Sequence, residues 1–137
     1  MKQNKKQGKK NEIGAYGEEI AVNYIKKHGL TVIDTNYLKK WGEIDIVARE
    51  TGKIRFIEVK TVSYETKSAL QAAVTHGTWR PEENVHYSKI KRLNRAIESW
   101  VMENDYDGEW EIDVIAVRIV TRERYATVKY LPNVVFG

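Results

Sequence analysis

From Leu30 to Lys60 the apolar residues return at every second position in three short runs. This departure from the helical spacing before it limits the chain to a fold built on a sheet. The runs cover 31–37, 43–49 and 54–60 and are rich in Val, Ile, Phe and Tyr. Thr51-Gly52 between the second and third is a tight-turn signal, and the link from Lys39 to Gly42 is another, so an antiparallel meander is expected. Ahead of it, residues 11–28 follow the helical period. Ile13, Tyr16, Ile20, Ala21, Val22, Tyr24 and Ile25 sweep one broad apolar arc, and Gly29 supplies a C-terminal cap. Beyond the meander, 63–85 is polar, with a short helical spacing over 69–74 and then Thr78-Trp79-Arg80-Pro81 in a loop. Ser88 reads as the N-cap of a helix to Glu103, with Ile90, Leu93, Ile97, Trp100 and Val101 on one face and Lys91, Arg92 and Arg95 elsewhere. Strands over 110–120 and 124–131 close the chain. The order α-β-β-β-α-β-β predicts an α/β (mixed α+β) fold, a central mixed sheet flanked by helices.

The 137 residues suffice for one domain, assigned to 11–137, behind a basic segment at 1–10. That segment holds Lys2, Lys5, Lys6, Lys9 and Lys10 and no acid, and without it 18 basic residues face 19 acidic ones. It reads as a disordered arm, either attracting phosphates by counterion release or serving only as a solubilising end. With no Cys and three scattered His, disulfides, a thiolate zinc site and a cysteine nucleophile are excluded. No apolar run approaches the roughly twenty residues that span a bilayer, and the N-terminus lacks the apolar stretch of a secretory signal. The expected setting is cytoplasmic, with no membrane partner.

The chemistry-bearing residues lie on the meander. Alternation places Glu43, Asp45 and Val47 on one face of the second strand, and Ile54, Phe56, Glu58 and Lys60 on one face of the third. A hairpin between these strands brings Asp45 toward Glu58, with Lys60 beside it. Carboxylates among Ile, Val and Phe are costly unless paired. Glu18 adds a third, lying inside the apolar arc of the first helix while Glu19 faces solvent. Two or three carboxylates and an amine meet the needs of metal-assisted phosphodiester hydrolysis: oxygen ligands for Mg²⁺ or Mn²⁺, and a cation to offset charge growing at phosphorus. The plainer alternatives are cross-strand pairing of Asp45 and Glu58 with Lys60 on an exposed face, and a helix-end role for Glu18. Glu43 suits a supporting role as well as a ligand role, and Asp113 suits a local hydrogen-bond network rather than catalysis.

Asp45, then Glu58-Val59-Lys60, resembles the Asp…Glu-x-Lys signature of the PD-(D/E)XK nuclease superfamily, which includes restriction endonucleases and archaeal Holliday junction resolvases. More narrowly, a set of segments spread over most of the chain resembles the YraN-like family of small predicted endonucleases. These are Gly14 with Gly17-Glu18-Glu19-Ile20-Ala21, Asn36-Tyr37, Trp41-Gly42-Glu43-Ile44-Asp45-Ile46, Phe56-Ile57-Glu58-Val59-Lys60-Thr61, Lys89 with Arg92-Leu93, and Asp113-Val114. The resemblance implies a restriction-endonuclease-like core with Glu18, Asp45, Glu58 and Lys60 as the catalytic set, the three carboxylates holding the metal. Val62 stands where family members often carry Arg, and 75–84 is longer than the usual connection.

Nucleic acid, with DNA first, is the expected partner and substrate, in duplex, flapped or branched form. Lys89 at a helix start, Arg92, and Trp79 with Arg80 in the long loop are the candidate contacts. Trp79 has the alternative of folding inward as an apolar plug. A target with two-fold symmetry would call for a homodimer. The competing function is a nucleic-acid-binding module that keeps this site without turnover; a structural protein with no nucleic-acid affinity is the third reading.

Overall fold

A computed structural model of the protein describes residues 5–75 and 87–135. Helix α1 (Lys5–Lys27) leads into strands β1 (Thr31–Lys39), β2 (Gly42–Glu50) and β3 (Lys53–Tyr64). Helices α2 (Lys67–Thr75) and α3 (Tyr87–Glu103) follow, then β4 (Glu109–Val120) and β5 (Tyr125–Leu131). The sheet runs β1-β2-β3-β4-β5, antiparallel except for β3 and β4. Those two pair in parallel without a break from Lys53 opposite Glu109 to Tyr64 opposite Val120. A parallel pair needs a crossover longer than a turn, and α2 and α3 lie within it. The result is the expected mixed sheet flanked by helices, a restriction-endonuclease-like arrangement, with two helices rather than one among the described residues between β3 and β4.

Each face of the sheet carries its own core. Ala21, Ile25 and Leu30, from α1 and the turn after it, pack on Ile46, Ala48, Ile57, Val59, Ile115, Val117 and Ile119. Leu93, Ala96, Ile97 and Trp100 of α3 pack on Ile44, Val47, Ile54 and Phe56. Phe56 is held edge-on between Trp100 and Trp110. Among the described residues no helix is long and apolar enough to cross a membrane.

Four local expectations change. Helix α1 begins at Lys5, ahead of the start expected at residue 11; Lys and Gln are good helix formers, and no proline interrupts the run. Ser88 lies inside the first turn of α3 rather than capping it. The spacing read over 69–74 is part of the full helix α2. Ile44 packs with the α3 core, not with Ile46 and Ala48 as strict alternation requires. The alternation breaks around Asp45, opposite Asn36, whose backbone adopts φ 52°.

Gly42 opens β2 hard against α3: a β-carbon there would stand 1.8 Å from the backbone oxygen of Arg92. A backbone atom cannot rotate aside, so Gly42→Ala is expected to destabilise the fold by about 1–3 kcal/mol, the range for overpacked sites. Urea denaturation measures it, and an unchanged midpoint would mean that strand and helix do not approach this closely.

Candidate active site

The ladder between β2 and β3 stops at Ile46 opposite Ile57. Past that point the Asp45 carboxylate takes the place of a backbone partner, accepting the Val59 N–H at 2.8 Å. Asp45 is thereby held in the parting of the two strands, 8% exposed, next to Glu58 at 2%. Two ionised carboxylates so placed repel each other and have little water to dilute the repulsion. Burial, and then the Glu58 charge, push Asp45 up to about 7 against the opposing pull of the Val59 hydrogen bond.

The compensating charge comes from α3. Lys89 extends its ammonium to Oε1 of Glu58. The contact is charge-assisted, between an ammonium and a buried carboxylate oxygen. Burial alone would lower the lysine, but Glu58, Asp45 and Glu43 outweigh it and hold Lys89 above its ordinary value. Lys89 thus sits within the acidic site rather than on the outer surface of its helix.

From the other face, α1 delivers Glu18. Gly17 packs so closely on β3 that a β-carbon would stand 2.0 Å from Thr61 Oγ1, and this contact fixes the height of the next residue over the sheet. Glu18 and Asp45 line one cleft of about 360 Å³ together with Asn36 and Thr35. Burial and then the Asp45 charge raise Glu18, while a hydrogen bond from Asn36 opposes them. Asn36 therefore serves twice, bending β1 and supporting Glu18. Residue type and spacing alone give it no role; an Asn at a break in strand alternation is the signal that could have found it.

The unbroken register of β3 keeps Lys60 on the Glu58 side, two residues on and half-buried, making no hydrogen bond or ion pair among the described residues. Arg92 is exposed and its guanidinium reaches the Lys40 carbonyl at 3.5 Å. Trp79 and Arg80 lie outside the described residues. Asp113 is fully buried on the opposite sheet face, accepting from Arg55 at 3.0 Å, from the Asn133 N–H at 2.9 Å and from the Tyr130 hydroxyl. It is the hub of a hydrogen-bond network, apart from the Asp45–Glu58 pair.

Asp45 and Glu58 present the hard oxygen donors that Mg²⁺ or Mn²⁺ takes, and two buried carboxylates offset by a single ammonium mark a place suited to a cation. Among the described residues no three acidic or imidazole groups form a cage for a metal. Magnesium commonly binds through one or two carboxylates, completed by phosphate and water, so two buried carboxylates with Glu18 on the adjoining cleft fit that ion.

The model of the family described as "Uncharacterised protein family UPF0102" matches residues 17–117, a span that includes Glu18, Asp45, Glu58, Lys60 and Lys89. A UPF0102 protein of Beutenbergia cavernae is 39% identical over 126 residues, covering 91% of this chain and 97% of its own length. Another, from Desulfitobacterium hafniense, is 38% identical over 114 residues, 81% of this chain and 84% of its own. A third, from Flavobacterium psychrophilum, is 32% identical over 107 residues, 78% and 81%. From the Gly17 contact on α1 to Val117 near the end of β4, this chain belongs to the UPF0102 family.

Proposed function

We propose that the protein is a divalent-metal-dependent endonuclease acting on DNA. The observation that carries the reading is the Asp45–Glu58 pair, buried side by side and offset by one lysine ammonium, an arrangement that costs stability unless a cation is part of its use. Asp45 and Glu58 would hold Mg²⁺ or Mn²⁺, with Glu18 contributing from the cleft. The metal supplies Lewis acidity at a phosphate oxygen and a more acidic bound water. Lys60 offsets the negative charge that grows on the phosphate as the attacking oxygen closes on phosphorus. The Val59 N–H keeps the Asp45 carboxylate aimed, so little reorganisation accompanies reaction.

The test is a cleavage screen over linear, nicked, flapped and four-way-branched DNA with Mg²⁺ and with Mn²⁺. Cutting that requires the metal and disappears in Lys60→Ala supports the reading. Binding without cutting on every substrate would assign the silent binding module instead.

Lys89 gives a separate expectation. Lys89→Met keeps most of the aliphatic stem but removes the charge. The variant is expected to melt at a lower temperature in chelator, because Glu58 is left unpaired. It should bind Mn²⁺ about tenfold more tightly by calorimetry, since no ammonium competes. Equal affinities in the two proteins would show that the lysine and the metal do not share a place.

A further inference from the structure

We infer that the groove between the β1–β2 turn and the outer side of α3 holds an unpaired nucleic-acid strand, with a base on Trp41 and phosphates on the surrounding cations. The inference deepens the nuclease reading, on which it rests, by naming the form of nucleic acid that the surface accepts. The groove has a volume of about 440 Å³, and its six lining residues are Lys40, Trp41, Ser88, Lys91, Arg92 and Arg95. Four are cationic and none is acidic. Outside the first ten residues the chain is close to neutral, so this is a local concentration of charge and not a reflection of a basic protein.

Charge alone would suit any polyanion; Trp41 narrows the choice. Trp41 is 44% exposed, and its indole N–H donates to Ser99 Oγ at 2.7 Å, so the platform is oriented while the residue stays open to water. A fixed aromatic among guanidinium and ammonium groups can use the flat face of a base as well as the phosphates beside it. A duplex keeps its base faces stacked and offers only the phosphates, and an acidic peptide offers carboxylates without a flat partner. The walls are held together, with Arg92 bonded to the Lys40 carbonyl and its own carbonyl against Gly42. The groove also adjoins the carboxylate site in both segments, since Gly42 leads to Asp45 along β2 and Lys89 precedes Arg92 by one turn of α3.

The experiment is fluorescence anisotropy in chelator, where no cleavage occurs. It compares a labelled oligothymidylate of roughly twenty bases with a duplex of the same length. The full chain is expected to prefer the single strand. Trp41→Ala should weaken that binding by about tenfold and leave duplex binding unchanged, while Trp41→Phe retains most of it. Lys40→Gln with Arg95→Gln should weaken both and flatten the salt dependence by about one unit of slope for single strands. Equal affinity for both forms, indifference to Trp41→Ala in a protein with an unaltered melt, or equal competition by polyglutamate would each overturn the inference. Trp41-dependent binding without cleavage in Mg²⁺ or Mn²⁺ would sink the nuclease reading and leave the strand-binding groove standing; cleavage with an idle Trp41 would do the reverse.

Discussion

Asp45→Asn is expected to reduce cleavage by roughly a thousandfold, the scale for losing a principal electrostatic contributor, and at the same time to make the metal-free protein more stable above neutral pH. The two effects have one cause. Asparagine can still accept the Val59 N–H through its oxygen but carries no charge to offer a metal or to repel Glu58. The Asp45 carboxyl titrates near 3.8 when exposed and at about 7 in the fold. Between those values the folded protein binds more protons than the unfolded chain, so stability is fully present below about pH 4, falls as pH rises toward 7, and levels off beyond it. A tenfold difference in proton affinity between the folded and unfolded chains is worth about 1.4 kcal/mol, and sharing of charge with Glu58 and Lys89 brings the expected loss to the order of 1–3 kcal/mol. Thermal melts in chelator at pH 5 and pH 8 check this: the native protein should lose ground at the higher pH relative to the Asn variant. Added Mn²⁺ should raise the melting temperature of the native protein only. Parallel pH curves for the two would remove the argument that the carboxylates are held against their own repulsion.

The second large effect is structural. Asp113→Ala is expected to cost about 3–5 kcal/mol, the loss seen when one partner of a buried ion pair is removed. Arg55 would keep Glu50 and Glu111 but lose the fully buried carboxylate that it meets at 3.0 Å, and the Tyr130 hydroxyl and the Asn133 N–H would lose their acceptor. Burial, then the hydrogen bond to Asp113, hold the Tyr130 phenol far above its ordinary value, so it stays a donor. Asp113→Asn should be milder, because an amide oxygen still accepts. Urea denaturation gives the loss, and cleavage per folded molecule should be unchanged. A mild Ala variant with no activity would instead place Asp113 in the chemistry.

The period-two runs predict the meander, and the α3 wheel predicts its apolar stripe, because both are set by burial along one face. What escapes such periodicity is irregular. Asp45 sits where a backbone ladder gives way to a side-chain acceptor, so alternation assigns Ile44 to the wrong core. Lys89 reads as a phosphate contact at a helix start, yet it precedes Leu93, Ala96 and Trp100 by four, seven and eleven residues, the spacing of the buried stripe. That spacing is present in the sequence; what a lysine would find there is not, since Glu58 arrives from a distant strand. The groove around Trp41 is equally hidden. Lys40 and Trp41 are far in sequence from Arg92 and Arg95, and only the close approach at Gly42 puts them side by side.

Among the described residues β1 forms one margin of the sheet, with β2 as its single neighbour, and its ladder slips between Val32 and Asp34 before the chain bends again at Asn36. An open strand of this kind offers free amides and carbonyls to any other extended chain, the usual route to filaments. Two irregularities within a few residues spoil the straight template that such stacking needs. The distortion that lets β1 wrap the acidic cleft therefore also insulates the molecule against growing its sheet outward into a second copy.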